Sequence, residues 1–217
     1  MKRVFFILIS GLITLSALGQ NLKTDIGSLF SGWGKPNHPG GVVYIAHKNQ
    51  VVFAQAYGLA NLPYQVPNNL ETLFDIGSLS KQFTAMGIVL LAQQGKLSLD
   101  DEIQKYLPEL HEFKKPITIR HLLHHTAGLR SSPEFFSLAG WRDGDGISNE
   151  DFYRYMTQQV DLNFEPGTEY MYSNSGYILL AKIIESVSQQ DFKSWMKEKI
   201  FQPLDMKATF VEEDNTQ

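Results

Sequence analysis

The chain has 217 residues, a formal net charge of −4 and no cysteine. The lack of cysteine excludes a disulfide scaffold and a lipid-modified N-terminal cysteine. A mildly acidic chain without a basic cluster argues against nucleic acid or anionic lipid as a partner. An apolar content of 43% is typical of a globular protein with a sizeable core.

Residues 1–19 have the pattern of a secretory signal peptide. The first three residues include two basic ones, an apolar run extends from Val4 to about Leu18, and small residues precede Gln20. The run is shorter than the roughly 20 residues of a membrane span; an uncleaved anchor is the alternative. We therefore predict an exported chain, periplasmic or secreted, that starts near Gln20 and keeps no stable membrane span.

Residues 20–77 are predicted to form the sheet portion of one domain that extends over 20–217. A short helix is predicted over 22–32. Two apolar, strand-like runs then flank a polar turn at 47–50, which predicts a β-hairpin. Residues 59–72 are rich in proline and asparagine and predict a surface loop.

Residues 78–210 are predicted to be mainly helical. Apolar residues recur at helical spacing after Ser78 until Gly95, and Gly87 in this pattern predicts the close approach of another element. Beyond it, the sequence predicts a polar connection with an apolar turn at 98–116 and a loop at 130–150. Helices are predicted at 149–159, after the Pro-Gly turn with an apolar stripe from Tyr177 to Val187, and at about 191–201.

The stretch from Ile117 to Leu129 predicts a helix that begins at the N-cap Thr118 and ends at Gly128. Its histidines, His121, His124 and His125, would then share one helical face, which raises the possibility of a metal site. A zinc hydrolase normally adds a nearby acidic residue, and no acidic residue lies within this helix. The sequence therefore favours a structural role and predicts neither a metal nor another cofactor.

Ser78 and Lys81 form a Ser-x-x-Lys pattern where a glycine turn leads into a helix. One helical turn places the lysine ammonium on the same side as the serine hydroxyl. Serine becomes a nucleophile when a nearby base accepts its proton, and lysine can serve if its pKa is lowered. The N–H groups at a helix N-terminus suit the oxyanion of an attacked carbonyl.

The same pattern occurs a second time, at Ser194 and Lys197. This copy lies inside an amphipathic helix, so Ser194 is predicted to be an exposed polar residue. Position alone therefore favours Ser78 as the nucleophile.

Tyr172 and Asn174 form a Tyr-x-Asn pattern at a junction between a loop and a helix. The tyrosine phenol can relay a proton, and the asparagine amide can hold a lysine or a substrate carbonyl. Taken alone, the tripeptide is also compatible with a helix cap next to an aromatic residue.

In their order, the hairpin, Ser-x-x-Lys, Leu-Leu-His-His-Thr-Ala-Gly-Leu, Pro-Gly-Thr and Tyr-Ser-Asn-Ser-Gly-Tyr resemble the serine β-lactamase and penicillin-binding-protein superfamily. The resemblance is strongest to the branch of class C β-lactamases, D,D-peptidases and esterases, and covers nearly all of residues 35–210. It implies an α+β, β-lactamase/transpeptidase-like fold.

For the site, the resemblance implies that Ser78 is the acylated nucleophile and Lys81 its base or electrostatic partner. Tyr172 would relay the proton, and Asn174 would belong to the polar network that binds the substrate. The order in which Lys81 and Tyr172 take the proton stays open. The implied substrate is a small molecule or peptide with an acyl carbonyl.

The superfamily has a third motif, Lys-Thr-Gly or His-x-Gly, on a later strand. The one His-x-Gly of this chain, at residues 38–40, precedes the nucleophile and is rejected. We therefore expect the domain to be incomplete, with the C-terminal strands missing and the hairpin edge unpaired.

Three functions follow as hypotheses. The first is a serine hydrolase that forms an acyl-enzyme with an amide, ester or β-lactam carbonyl. The second is a truncated, catalytically incomplete fragment, and the third is a non-catalytic module that binds a cell-wall ligand. The sequence gives no indication of the substrate or the oligomeric state.

Overall fold

The computed structural model describes residues 24–142 and 145–212 of the chain. The predicted signal peptide, residues 1–19, lies outside the described residues. The chain divides after Asp75 into two compact units. In the described residues, the strands lie in the first unit and most of the helices in the second. The predicted α+β class is therefore confirmed.

The first unit contains the predicted β-hairpin. Strand β1 (Gly41–His47) pairs antiparallel with β2 (Gln50–Tyr57). The two residues between them, Lys48 and Asn49, have φ angles of 48° and 61°. A type I′ turn requires positive φ at both central residues, so this two-residue connection matches the twist of the strands.

The rest of the first unit combines helical turns with one short strand pair. Residues 24–29 belong to helix α1, which a 3₁₀ turn, Ser31–Gly34, follows. The predicted surface loop contains strand β3 (Leu59–Asn61), which pairs with β4 (Val66–Pro67). Strands this short do not display the alternation of apolar and polar residues by which a strand is recognised, and the loop prediction is wrong there.

The second unit is helical. Its described residues contain α2 (Lys81–Gln93), α3 (Ile119–Leu123), α4 (Ser132–Leu138), α5 (Asn149–Thr157), α6 (Asn174–Ser188) and α7 (Phe192–Met196).

Helices α2 and α6 form the centre of this unit and supply half of the largest fully buried side chains among the described residues. Gly87 of α2 lies at their contact, where a Cβ atom would be 2.8 Å from Ile184 Cδ1 and 3.0 Å from a ring carbon of Trp195. The predicted close approach at Gly87 is confirmed. Each buried Leu or Ile contributes roughly 1.5–3 kcal/mol; the fully buried ones on α2 and α6 are Ile88, Leu91, Leu179, Leu180, Ile183 and Ile184.

The polar connection after α2 contains the predicted apolar turn, a 3₁₀ turn at Ile103–Lys105. Ile103 is fully buried, and its N–H donates to the carbonyl of Ile117 at 2.9 Å. The turn thus attaches the connection to the segment that leads into α3.

Helix α3 begins at the predicted N-cap, Thr118, but ends at Leu123, well before the predicted stop at Gly128. The His121 ring completes a capping box, because its Nδ1 accepts the Thr118 N–H at 3.2 Å. His125 has a φ angle of 58°, in the left-handed region, and lies outside the helix. The prediction that the three histidines share one helical face is therefore wrong.

The later helices match the prediction in part. Helix α5 lies within the predicted 149–159. Helix α4 lies in the segment predicted as a loop, and that prediction is wrong. The predicted helix over 191–201 consists of α7 and a π-helical turn, Lys197–Phe201.

Within residues 24–142 and 145–212, we find no helix with the length and apolarity needed to span a bilayer.

Candidate active site

The Ser-x-x-Lys motif lies on a 3₁₀ turn, Gly77–Ser80, that leads into α2. Helix α2 begins at Lys81, three residues later than the sequence predicts. Residues i and i+3 eclipse each other in a 3₁₀ turn, so the Ser78 and Lys81 side chains lie on one side. Gly77 opens the turn with a φ of 51° and has free space around a Cβ position, so the backbone angle, not the space, requires glycine there.

The Tyr-x-Asn motif lies where an extended segment enters α6. Asn174 is the first residue of that helix, and Tyr172 lies in the segment before it. Since α2 and α6 pack against each other, their N-terminal ends bring the two motifs together. The Ser78 and Tyr172 side chains meet although 94 positions separate them.

The four predicted residues form one hydrogen-bonded group. Ser78 Oγ is 2.7 Å from the Tyr172 hydroxyl. Lys81 Nζ donates to Asn174 Oδ1 at 2.8 Å and to Ser78 Oγ at 3.2 Å. The Tyr172 hydroxyl donates to Asn174 Oδ1 at 3.2 Å, so the asparagine amide oxygen joins the tyrosine to the lysine.

The Lys81 ammonium also lies near two aromatic rings. Its Nζ is 5.0 Å from the Tyr172 ring centroid and 5.6 Å from that of Tyr177, within the range of a cation–π interaction. Hydrogen bonding by Lys81, and then by Ser78, holds the pKa of the Tyr172 phenol below its usual value. The phenol therefore loses its proton more readily than a free tyrosine.

The group is open to solvent. Ser78 is exposed, Lys81 is half-buried and Tyr172 is 40% exposed. The Ser78 hydroxyl is therefore accessible from solvent in the described part of the chain.

The second Ser-x-x-Lys pattern lies elsewhere in the fold. Ser194 is exposed on α7, and its N–H donates to Asp191 Oδ1 at 2.8 Å as part of the N-cap of that helix. The prediction that Ser194 is an exposed polar residue is confirmed.

His125 belongs to the surroundings of this site, which the sequence did not indicate. Its ring centroid is 4.6 Å from that of Tyr172 and 5.2 Å from that of Tyr177. Sequence reasoning weighed His125 as a metal ligand and favoured a structural role in a helix, because the helical spacing was assumed to continue through it.

Among the residues that the structure describes, no three His, Asp or Glu side chains are placed to hold a metal ion together. His121 and His125 each use Nδ1 to accept a backbone N–H, from Thr118 and Ser173 respectively. The Nδ1 atom of each ring is therefore engaged in a hydrogen bond to the backbone.

Comparison with known proteins gives one consistent result. The family model described as Beta-lactamase matches residues 28–217. Penicillin-binding protein 4* of Bacillus subtilis (strain 168) is 35% identical over 193 residues, which are 88% of this chain and 42% of that protein. The chain thus spans about two fifths of the length of this curated relative.

Solved structures have the same fold. The octameric penicillin-binding protein homologue from Pyrococcus abyssi superimposes with a TM-score of 0.71 at 32% identity, over 87% of this chain and 43% of that chain. A class C beta-lactamase in complex with cefoxitin also gives a TM-score of 0.71, at 26% identity, over 92% of this chain and 53% of that chain. The predicted fold is confirmed.

Proposed function

Because the chain belongs to the beta-lactamase family, we propose that it is a serine hydrolase that forms an acyl-enzyme at Ser78 with an amide, ester or β-lactam carbonyl. The observation that carries the proposal is the hydrogen-bonded group of Ser78, Lys81, Tyr172 and Asn174. It places a nucleophile next to two groups that can accept its proton.

Tyr172 first loses its phenol proton to solvent, which its lowered pKa favours. Ser78 Oγ then attacks the carbonyl carbon while its proton passes to the ionised Tyr172 oxygen. The 2.7 Å contact with Tyr172 is shorter than the 3.2 Å contact with Lys81, and this favours the tyrosine as the base. The Lys81 ammonium favours the phenolate by its charge. The backbone N–H of Ser78 is our candidate donor to the oxyanion of the tetrahedral intermediate.

The intermediate then breaks the bond from carbon to the leaving nitrogen or oxygen, and the leaving group takes the proton from Tyr172. A water molecule next gives a proton to Tyr172 and attacks the ester carbonyl. The bond from carbon to Ser78 Oγ breaks, and Oγ recovers its proton. Asn174 keeps the Lys81 ammonium in place through both halves of the reaction.

A covalent probe tests the proposal on the 217-residue chain. A fluorophosphonate and a fluorescent penicillin should each add one adduct by intact mass, and peptide mapping should place it on Ser78. The Ser78→Ala variant should gain no adduct, whereas the matched Ser194→Ala variant should react as the unmodified chain does. Absence of an adduct from a chain that shows folded circular dichroism contradicts the proposal.

The same experiment addresses the other hypotheses. Penicillin that binds to the folded chain but leaves on dialysis, without a mass change, favours a ligand-binding module. A penicilloyl adduct that stays for many hours indicates acylation without hydrolysis, as expected of a catalytically incomplete fragment.

A further inference from the structure

His125 contacts the backbone on both sides of Tyr172. The His125 carbonyl accepts the N–H of Met171 at 3.0 Å, and the His125 Nδ1 accepts the N–H of Ser173 at 3.2 Å. His125 therefore binds the backbone N–H groups of the residues directly before and after the tyrosine. None of the chemical steps proposed above uses this histidine.

The ring of His125 also supports the ring of Tyr172. The two ring planes are inclined by 36° at a centroid distance of 4.6 Å, and Tyr177 packs on the histidine at 5.2 Å with the same inclination. Tyr170 makes an edge contact at 6.1 Å. The phenol of Tyr172 thus has a packed aromatic support although its own ring is 40% exposed.

The backbone of His125 is arranged for this contact. Helix α3 ends at Leu123, and the left-handed φ of 58° at His125 reverses the chain direction directly after it. Non-glycine residues rarely adopt this conformation, and asparagine and histidine tolerate it better than most. The reversal brings both the carbonyl and the ring of His125 to the segment that carries Tyr172.

We propose that neutral His125 is the positioning residue that holds Tyr172 at Ser78 for acyl transfer, and that protonation of its Nδ1 releases the tyrosine. The inference rests on the proposed function. An Nδ1 that carries a proton can no longer accept the Ser173 N–H, so one of the two backbone bonds is lost. Acid should therefore weaken the 2.7 Å contact between Tyr172 and Ser78.

The groups around His125 favour its neutral form at neutral pH. It faces Lys81 of α2, Tyr177 of α6, and Tyr170 and Tyr172 of the extended segment. Burial, and then the charge of Lys81, lower the pKa of His125 below its usual value. The positioned state is therefore the ordinary state near pH 7, and release occurs at lower pH.

The first test is the pH dependence of acylation in the 217-residue chain. The H125N variant keeps an oxygen acceptor and tolerates the left-handed backbone, but it lacks the ring and does not titrate. We expect fluorophosphonate labelling of Ser78 to be about tenfold slower in H125N at pH 8, because small displacements of a reacting group cost such factors. The ratio of the labelling rate of the unmodified chain to that of H125N should shrink as the pH falls below the usual histidine pKa of about 6.5.

The neighbouring His124 provides the matched control, because it is exposed and follows α3 directly. The H124N variant should label at the unmodified rate at every pH. A rate for H125N within twofold of the unmodified chain, or a ratio that does not change with pH, overturns the inference. If His125 had only a structural role, H125N would melt at a lower temperature, and the ratio of its labelling rate to that of the unmodified chain would be the same at every pH.

A second measurement does not depend on turnover. In a chain labelled with ¹³C at the tyrosine Cζ atoms, the Tyr172 signal should shift with the titration of His125, and this shift should be absent in H125N but present in H124N. If Ser78 of the unmodified chain accepts no probe while this shift is observed, the proposed function fails and the positioning role stands. If the Tyr172 signal does not follow His125, the positioning role fails.

Discussion

Substitution of Tyr172 by phenylalanine separates the two possible bases. The change removes one oxygen atom and with it the contacts to Ser78 Oγ at 2.7 Å and to Asn174 Oδ1 at 3.2 Å. The ring remains, so packing on His125 and the cation–π contact with Lys81 are kept. The fold should change little, since the lost hydrogen bonds belong to an exposed group and contribute about 1 kcal/mol or less each.

If Tyr172 accepts the proton of Ser78, its loss should slow acylation by about 10²–10⁴-fold. At roughly 1.36 kcal/mol per decade, this is an increase of about 2.7–5.4 kcal/mol in the activation free energy. If Lys81 is the base, the variant loses only a neighbouring hydrogen bond, and the rate should fall less than about tenfold. The two mechanisms therefore predict effects that do not overlap.

The assay is the rate of fluorophosphonate labelling at Ser78, followed by intact mass between pH 6 and 10. The labelling rate of the unmodified chain should rise with pH and level off below the usual tyrosine pKa of about 10, because Lys81 and Ser78 lower the pKa of Tyr172. The Tyr170→Phe variant is the matched control, since Tyr170 lies in the same segment and is 69% exposed. A Tyr172→Phe rate within about tenfold of the Tyr170→Phe rate refutes the assignment of Tyr172 as the base.

Three further predictions concern stability and geometry. Ser175→Ala should lower the free energy of unfolding in urea by about 2–4 kcal/mol, because the buried Ser175 hydroxyl donates to the Arg130 carbonyl and also bonds to the N–H and the hydroxyl of Ser132. Ser132→Ala removes only one of these three bonds and should cost about 1 kcal/mol; equal losses contradict this reasoning. A hydrogen bond from Tyr106, together with further hydrogen bonds, lowers the pKa of Asp101 to about 2. The contribution of Asp101 to folding stability is therefore complete above about pH 4 and is lost as the pH falls toward 2. Asp101→Asn should flatten the acid side of a plot of melting temperature against pH, and an unchanged acid side refutes the assignment. Gly87→Val should destabilise the chain by about 1–3 kcal/mol, since its side chain collides with neighbouring helices; full stability in a urea titration counts against the close contact.

The parts of the fold that follow from local patterns could be predicted. The hairpin was evident from two apolar runs around a polar turn, and α5 was evident from its periodicity. The close contact at Gly87 could be inferred because a glycine in a helix interior costs stability unless something packs on it. The approach of Ser78 to Tyr172 came from the order of the motifs, since local patterns carry no information about side chains 94 positions apart.

The predictions that were wrong concern elements that depend on tertiary contacts or are short. The helix over residues 117–129 was predicted too long, because the left-handed residue that follows it is His125 and not the glycine that usually ends a helix. Helix α4 was missed because seven residues show little periodicity. Its start is fixed by the buried bond between Ser132 and Ser175, which is a contact with α6.

The close contact at Gly87 makes the position of Ser78 sensitive to the tilt of α2, because Ser78 lies beyond one end of that helix. Ser78 precedes Gly87 by nine positions, or about 13 Å at the rise of an α-helix. A tilt of roughly 5° about the contact with Ile184 would therefore move Ser78 by about 1 Å. That displacement is enough to break the 2.7 Å contact with Tyr172. A larger side chain at Gly87 should thus reduce activity as well as stability, and screens for loss of function should recover Gly87 together with the reacting residues.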